Sequence, residues 1–195
     1  MSKKYQIIYA DPPWSYNDKM SGHTFSLDDE YETQSLDWIK KLPVGEICDK
    51  DCVLFLWAVS PMLPEAFEVI TAWGFKYVTV AFCWVKETPL LGVTVSNLGR
   101  WTMGGMEVCL LARKGKPQRI TKNVKQVIHD VRTDHSKKPR EIRERIVKLM
   151  GDIPRIELFA RQKVDGWDAW GNEVESDIQM ETKAEFPEKE GGSIC

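Results

Sequence analysis

Hydrophobic positions along the chain fall into two rhythms. Tyr5–Ala10 (YQIIYA), Cys52–Trp57 (CVLFLW), Lys76–Lys86 (KYVTVAFCWVK), Met106–Gly115 (MEVCLLARKG) and Arg155–Arg161 (RIELFAR) are short and rich in apolar, β-branched and aromatic residues. Such runs predict strands, and CVLFLW, apolar without a break, predicts one covered on both faces. A shorter strand is expected within Lys125–Asp130. Between these lie helical stretches. In SLDWIKKLP, Ser35 can cap a short helix and Pro43 follows its end. PMLPEAFEVITAWG runs as a helix to Gly74. KKPREIRERIVKLMGD is a basic helix with Ile142, Ile146 and Leu149 on one stripe. Strands alternating with helices predict an α/β fold with a mostly parallel sheet. Residues 17–34 read as a polar, acidic loop and 87–105 as a long, turn-rich loop. Loops of that length are usually functional or unstructured. No internal repeat is visible.

Composition narrows the class. At 195 residues, of which 43% are hydrophobic, one globular domain over 1–173 is expected. Residues 174–195 are acidic, poor in strongly apolar side chains, and expected to be a disordered tail. No apolar run approaches the roughly 20 residues that span a bilayer. MSKKYQ leads straight into the first strand without a signal-peptide core. The five cysteines include no CxxC, and the close pair Cys48 and Cys52 has no partner at zinc spacing. They are read as reduced thiols of a cytoplasmic protein, with no metal. The net charge of −2 hides an asymmetry, with thirteen Lys/Arg against four Asp/Glu from Arg113 to Lys148. On charge alone that segment suits a phosphate-facing surface and a solvated, ion-paired helix face equally.

The first predicted strand ends in Asp11-Pro12-Pro13-Trp14, where two prolines forbid continuation. In an open α/β sheet, ligands sit beyond the carboxyl ends of the strands, which is where Asp11 falls. Asp11 offers carboxylate oxygens, and Pro12 a carbonyl expected to point away from any ladder. Together they form an acceptor-only pair without a local donor. An exocyclic amino group, with two N–H donors, suits such a pair, and Trp14 adds a flat face for a ring. Two acceptors gripping the N–H bonds of an aromatic amine free its lone pair for attack. The carboxylate then stabilises the positive charge developing on nitrogen. Positioning and electrostatics suffice without a covalent intermediate. The constellation therefore suits group transfer onto the amino group of a nucleobase.

YADPPW resembles the signature of the adenine-N6 methyltransferases related to the seventy-kilodalton catalytic subunit of the mRNA adenosine methyltransferase. That group includes phage and bacterial DNA-modifying members. The resemblance continues, in the family's order, through YETQSLDWI, VLFLWAV, FCWVK, GRWTMGGMEVCLLARKGKP, VRTDHSKKP and RIELFAR…GWDAWGNE, spanning residues 5–173. It implies a Rossmann-like methyltransferase fold with S-adenosylmethionine as donor. By the same resemblance Asp11 and the Pro12 carbonyl hold the target amino group, Pro13 shapes the turn and Trp14 walls the base pocket. Asp11 also meets the donor's ammonium. Tyr31 closes over the site, Glu107 lies near the target base, and Lys138 binds the donor's carboxylate. Arg161, Asn172 and Glu173 hold the ribose. Lys86 and Trp101 lie in matching motifs without an implied role. A homodimer or a methyltransferase-like partner is in keeping with the family.

The residues agree with this in part. There is no GxGxxG, which fits a donor without phosphate. A lysine beside Pro139 at a helix start suits a carboxylate. His23, His129 and His135 show no ligand spacing, and Trp167 and Trp170 read as core. Thr102–Met106 departs from the family, which carries a polar residue there. No separate target-recognition domain is recognised, so sequence choice is expected from residues 15–34, 87–105 and 113–137 or from a partner. DNA is the expected substrate, with RNA, or a non-catalytic nucleic-acid-binding role, as the alternatives. A duplex would have to release its base. Lys122 and Lys125 are expected among the phosphate contacts.

Overall fold

The computed structural model describes residues 3–15, 34–89, 92–96, 101–131 and 137–180. The elements run β1 (Tyr5–Ala10), α1 (Leu36–Lys41), α2 (Val44–Ile47), β2 (Cys48–Ala58), a 3-10 turn at Ser60–Met62, α3 (Leu63–Ala72), β3 (Lys76–Glu87), β4 (Met106–Lys114), β5 (Val127–Val131), α4 (Glu141–Met150), β6 (Arg155–Leu158) and β7 (Asp168–Trp170). The seven strands form one sheet in the order β5-β3-β4-β2-β1-β6-β7. Pairings β1/β2, β1/β6, β3/β5 and β6/β7 are parallel, and β4 runs antiparallel to both β2 and β3. The expected α/β architecture and its mostly parallel sheet are thus present, consistent with a Rossmann-like methyltransferase fold.

The antiparallel strand was not foreseen, and its cause is local. No helix lies between β3 and β4 among the described residues of that connection, so the chain turns back on itself instead of crossing over. The consequence matters for the site. β1, β2, β3 and β6 bring their last residues to one end of the sheet, whereas β4 brings its first, Met106 and Glu107.

Side chains alternate between the two faces, as a pleated strand requires. Ile8, Leu54, Leu56, Leu110 and Ile156 pack with α1 and α3 on one face. Ile7, Tyr9, Phe55, Trp57, Trp84 and Cys109 pack with α4 on the other. Each such large apolar side chain contributes about 1.5–3 kcal/mol relative to exposure. Ser35 caps α1 by accepting the Trp38 N–H at 3.2 Å. Gly74, at φ +81°, follows α3. There the Gly74 and Phe75 amides donate to Thr71 and Ile70, which satisfies the last carbonyls of the helix.

Three expectations need correction. α4 buries Ile142, Ile146 and Met150, while Leu149 is only partly buried. The helix begins at Glu141, leaving Lys138 outside its first turn. The expected boundary at residue 173 also lies too early. The Asp177 amide donates to the Ala169 carbonyl at 2.8 Å, the Asp177 carboxylate accepts the Ala169 N–H at 2.9 Å, and Met180 is buried in the core on the α1/α3 face. These contacts tie 174–180 to the sheet edge; residues 181–195 lie outside the described part.

Candidate active site

Asp11 follows the last paired residue of β1, Ala10, whose neighbours are Leu56 and Leu158. The two prolines then fold the chain back tightly. The Trp14 N–H donates to the Pro12 carbonyl at 2.9 Å, and the Gln34 N–H donates to the Pro13 carbonyl at 3.0 Å. The Pro12 carbonyl is therefore not an unpartnered acceptor as expected, although a carbonyl oxygen keeps a second lone pair. The Trp14 indole N–H donates to the Trp57 carbonyl at 3.0 Å, and its half-buried ring packs on the α1/α3 face.

The acceptor pair also has a local donor. Lys138 Nζ lies 2.7 Å from Asp11 Oδ2 and 3.2 Å from Glu107 Oε2. Lys86 Nζ lies 2.5 Å from Glu107 Oε1. Charges thus alternate along Lys86, Glu107, Lys138 and Asp11, with side-chain exposures of 14%, 10%, 9% and 27%. Each ammonium is backed by an indole: Lys86 sits 5.0 Å from the Trp84 ring centre and Lys138 5.4 Å from that of Trp57. Burial alone would raise the Glu107 pKa, but Lys138 and Lys86 outweigh it and hold the carboxyl below its ordinary value. Burial likewise opposes the charge on Lys138, while Asp11 and Glu107 more than restore it. Two anions, rather than a helix dipole, hold Lys138, because it precedes α4.

On the other side of Asp11 the chain leaves β6 through Phe159, at φ +60°. That left-handed turn lets Ala160 donate to the Trp170 carbonyl at 3.0 Å. It presses the Ala160 backbone so close to Gly171 that an added Cβ would lie 2.3 Å from the Ala160 oxygen. Only glycine fits there. The close approach brings Arg161 beside Glu173, with Nε to Oε1 at 3.5 Å. Asp11, Pro13, Trp38, Arg161, Asn172 and Glu173 line a narrow slot. Trp38 stacks on Trp170 at 6.5 Å, and Phe159 meets Trp170 edge-on at 5.5 Å, so rigid aromatic packing forms its floor. A groove of about 1220 Å³ runs beside α4 and is also lined by Asp11, Phe159 and Arg161. Asp11 therefore stands where two cavities meet.

This geometry coincides with a family assignment. The MT-A70 family model matches residues 5–173. The chain belongs to the MT-A70 family. Among its relatives is a type II methyltransferase, M.MunI, from a Mycoplasma species, 36% identical over 205 residues that cover 95% of this chain and 85% of the relative. An N(6)-adenosine-methyltransferase MT-A70-like protein of Arabidopsis thaliana is 27% identical, covering 94% of this chain but 27% of that protein. The N(6)-adenine-specific methyltransferase METTL4 of Mus musculus is 27% identical, covering 88% of this chain and 38% of its own length.

Other expected site residues of this MT-A70 chain are placed differently. Lys122 and Lys125 are exposed, but they are not brought to Asp11. The Ile120 amide donates to the Leu149 carbonyl at the C-terminal end of α4, the end remote from Lys138, and Arg145 binds the Lys125 carbonyl at 2.6 Å. Much of the basic segment is also spent internally. Lys114 donates to Gly45, Arg145 pairs with Glu141, and Arg143 forms a two-toothed pair with Glu157 at 2.6 and 2.7 Å. The ion-paired reading of that charge thus accounts for several of its cations. Tyr31, His23 and His135 lie outside the described residues. Trp167 and Trp170 are core, as expected. Two site residues were left without a role by the sequence reading. Lys86 carried a signal, a lysine two positions after the aromatic Trp84 and on the same strand face. Trp57 carried none beyond its apolar run. Yet its carbonyl holds Trp14, its indole N–H donates to the Tyr9 hydroxyl at 2.8 Å, and its ring backs Lys138.

Proposed function

We propose that this MT-A70 chain transfers a methyl group from S-adenosylmethionine to the N6 amino group of adenine in DNA. The observation that carries the reading is Asp11 at the meeting of two cavities, paired to a buried lysine and flanked by stacked aromatic side chains. The donor set fits this cofactor. Lys138 has the charge for a methionine carboxylate, Asp11 for its ammonium, and Asn172 and Glu173 offer partners for ribose hydroxyls. The slot alone is too narrow for a nucleoside, so room for it is drawn from the adjoining groove. When bound, the donor supplies an electrophilic methyl group on a positively charged sulfur.

The chain's part is to present the amine. Asp11 accepts one N–H and the second lone pair of Pro12 accepts the other, which turns the nitrogen lone pair toward the electrophile. Lys138, 2.7 Å from Asp11 Oδ2, holds that carboxylate in place. Asp11, partly open to solvent, is the nearest acceptor for the proton the nitrogen sheds after attack. Trp14 bounds the base. In a duplex the adenine must be turned out of the stack first. DNA is favoured over RNA because the type II methyltransferase is 36% identical to this chain and the plant adenosine methyltransferase 27%. The described cysteines, free thiols, suit the cytoplasm.

The test is to incubate the protein with labelled S-adenosylmethionine and equal amounts of duplex DNA, single-stranded DNA and RNA. Digestion to nucleosides and mass spectrometry follow, with Asp11→Ala as control. N6-methyladenine in DNA, lost in the control, is the expected result. Label confined to RNA would transfer the reading to the RNA-modifying relatives. Methylation surviving in Asp11→Ala would overturn the mechanism.

A further inference from the structure

We propose that Lys86 is a positioning residue for the methyl-transfer site: it holds Glu107 aimed at Lys138, and Lys138 in turn holds Asp11. This rests on the functional reading above, and it concerns a residue that touches neither Asp11 nor any atom assigned to donor or base.

Lys86 is unusual for a lysine at the end of a strand. Such side chains ordinarily run along the surface with the ammonium in water. Here the ammonium is turned inward, 14% exposed, between Glu107 Oε1 and the face of Trp84. Its backbone is fixed on both sides. The Lys86 N–H donates to the Gly105 carbonyl at 2.9 Å, and its carbonyl accepts the Val95 N–H at 2.7 Å. The stem therefore starts from a pinned point, and the base of the long 88–105 connection closes around it. Glu107, opposite Trp84 in the β3/β4 register, receives one lysine on each carboxylate oxygen.

That division matters because Lys138 serves two carboxylates at once. With Lys86 present, Glu107 needs only one contact from Lys138, the longer one at 3.2 Å, and Asp11 keeps the shorter at 2.7 Å. Without Lys86, Glu107 Oε1 is a buried acceptor with no partner, an arrangement proteins avoid. Glu107 then has two ways out. It takes up a proton, or it rotates and draws Lys138 from Asp11. Either disturbs the catalytic carboxylate from the far end of the chain of charges. The groups that face Glu107 from the packed elements are Lys86 on β3, Lys138 before α4, Asp11 beyond β1 acting through Lys138, and the buried Cys109 thiol two residues along β4.

The decisive experiment follows the carboxyl groups by carbon-13 NMR across pH in the wild-type chain, Lys86→Met and Lys86→Arg, alongside single-turnover methyl transfer over the same pH range. Lys86→Gln, which retains a donor but no charge, stands in if Lys86→Met does not fold. The Glu107 midpoint is expected to rise by about one unit or more on loss of a neighbouring cation. The acid limb of the transfer rate should rise with it, about a tenfold loss per unit at pH below both midpoints. Lys86→Arg should restore most of each. An unmoved Glu107 midpoint in Lys86→Met overturns the proposal, as does a shifted midpoint with an unchanged transfer profile. A wild-type chain that methylates no nucleic acid overturns the functional reading instead, and the Glu107 midpoint alone then decides whether Lys86 governs that carboxylate.

Discussion

Replacing Lys138 by methionine isolates the energetic weight of the site. Lys138 is 9% exposed and neutralises Asp11 at 2.7 Å and Glu107 at 3.2 Å. Removing one partner of a buried pair costs about 3–5 kcal/mol, because the remaining charge is stranded. Glu107 retains Lys86, and Asp11 is 27% exposed, so the lower bound applies, about 3 kcal/mol at neutral pH. For a chain of this size that corresponds to a fall in Tm of about 6–12 °C. The pH dependence carries the sign. The Glu107 pKa is depressed in the folded chain, so its stabilisation is fully present above the ordinary carboxyl value of 4.5 and is lost as pH falls through the folded value. The Lys138 pKa is raised, so its own titration costs stability only as pH rises above its ordinary 10.5, and on the acid side the gap is set by protonation of its carboxylate partners. Wild type and Lys138→Met should therefore lie far apart at pH 7 and converge as the pH is lowered below about 4.5. Urea denaturation at pH 7 and pH 4 measures both gaps. A gap under about 1 kcal/mol at pH 7, the scale of an exposed ion pair, or one that does not narrow at pH 4, would refute a buried charge chain.

Gly171→Ala should leave the sheet intact but push Ala160 away from Trp170, since the new Cβ would lie 2.3 Å from a backbone oxygen. Overpacking of about 1–3 kcal/mol should appear as a roughly tenfold or greater loss of S-adenosylmethionine affinity in calorimetry; unchanged affinity would remove the 159–161 and 171–173 segments from the donor site. Reversing charge at Lys122 and Lys125 should raise the DNA dissociation constant and reduce the salt slope by about two. An unchanged slope would confine the nucleic-acid surface to the Asp11 end of the sheet, away from the foot of α4.

The strands were legible wherever burial on both faces left an unbroken apolar run, as in β2, or aromatic and β-branched residues crowded together, as in β3. β7 was not, because three residues, Asp168–Trp170, carry no period of their own. The direction of β4 was not, because hydrophobicity is the same read either way along a strand. The Asp11 turn was legible in its residue types, but its hydrogen bonds were not. Two prolines announce a turn without saying that the Trp14 amide will take the Pro12 carbonyl. The charge chain was half legible. Asp11 was legible from its place at a strand end, Glu107 and Lys138 came from the resemblance, and Lys86 could be assigned a role only when β3 and β4 were seen side by side. Residues 174–180 misled because their composition is polar, while their anchoring depends on a few well-placed side chains, Asp177 and Ser176 by hydrogen bonds and Ile178 and Met180 by packing.

The position of β1 between β2 and β6 bears on how the chain acquires its activity. Asp11 is made first on the ribosome, but the lysine that holds it comes 127 residues later, and the outer neighbour of β1 is β6, which follows α4. Loop closures of that length make topologically complex sheets slow to form. A nascent chain released before residue 158 therefore lacks one edge of β1 and the turn through Phe159. It can hold neither the slot nor the groove in shape. The proposed transfer site is in this sense a late product of folding, and its elements are all present only when nearly the whole matched segment has emerged.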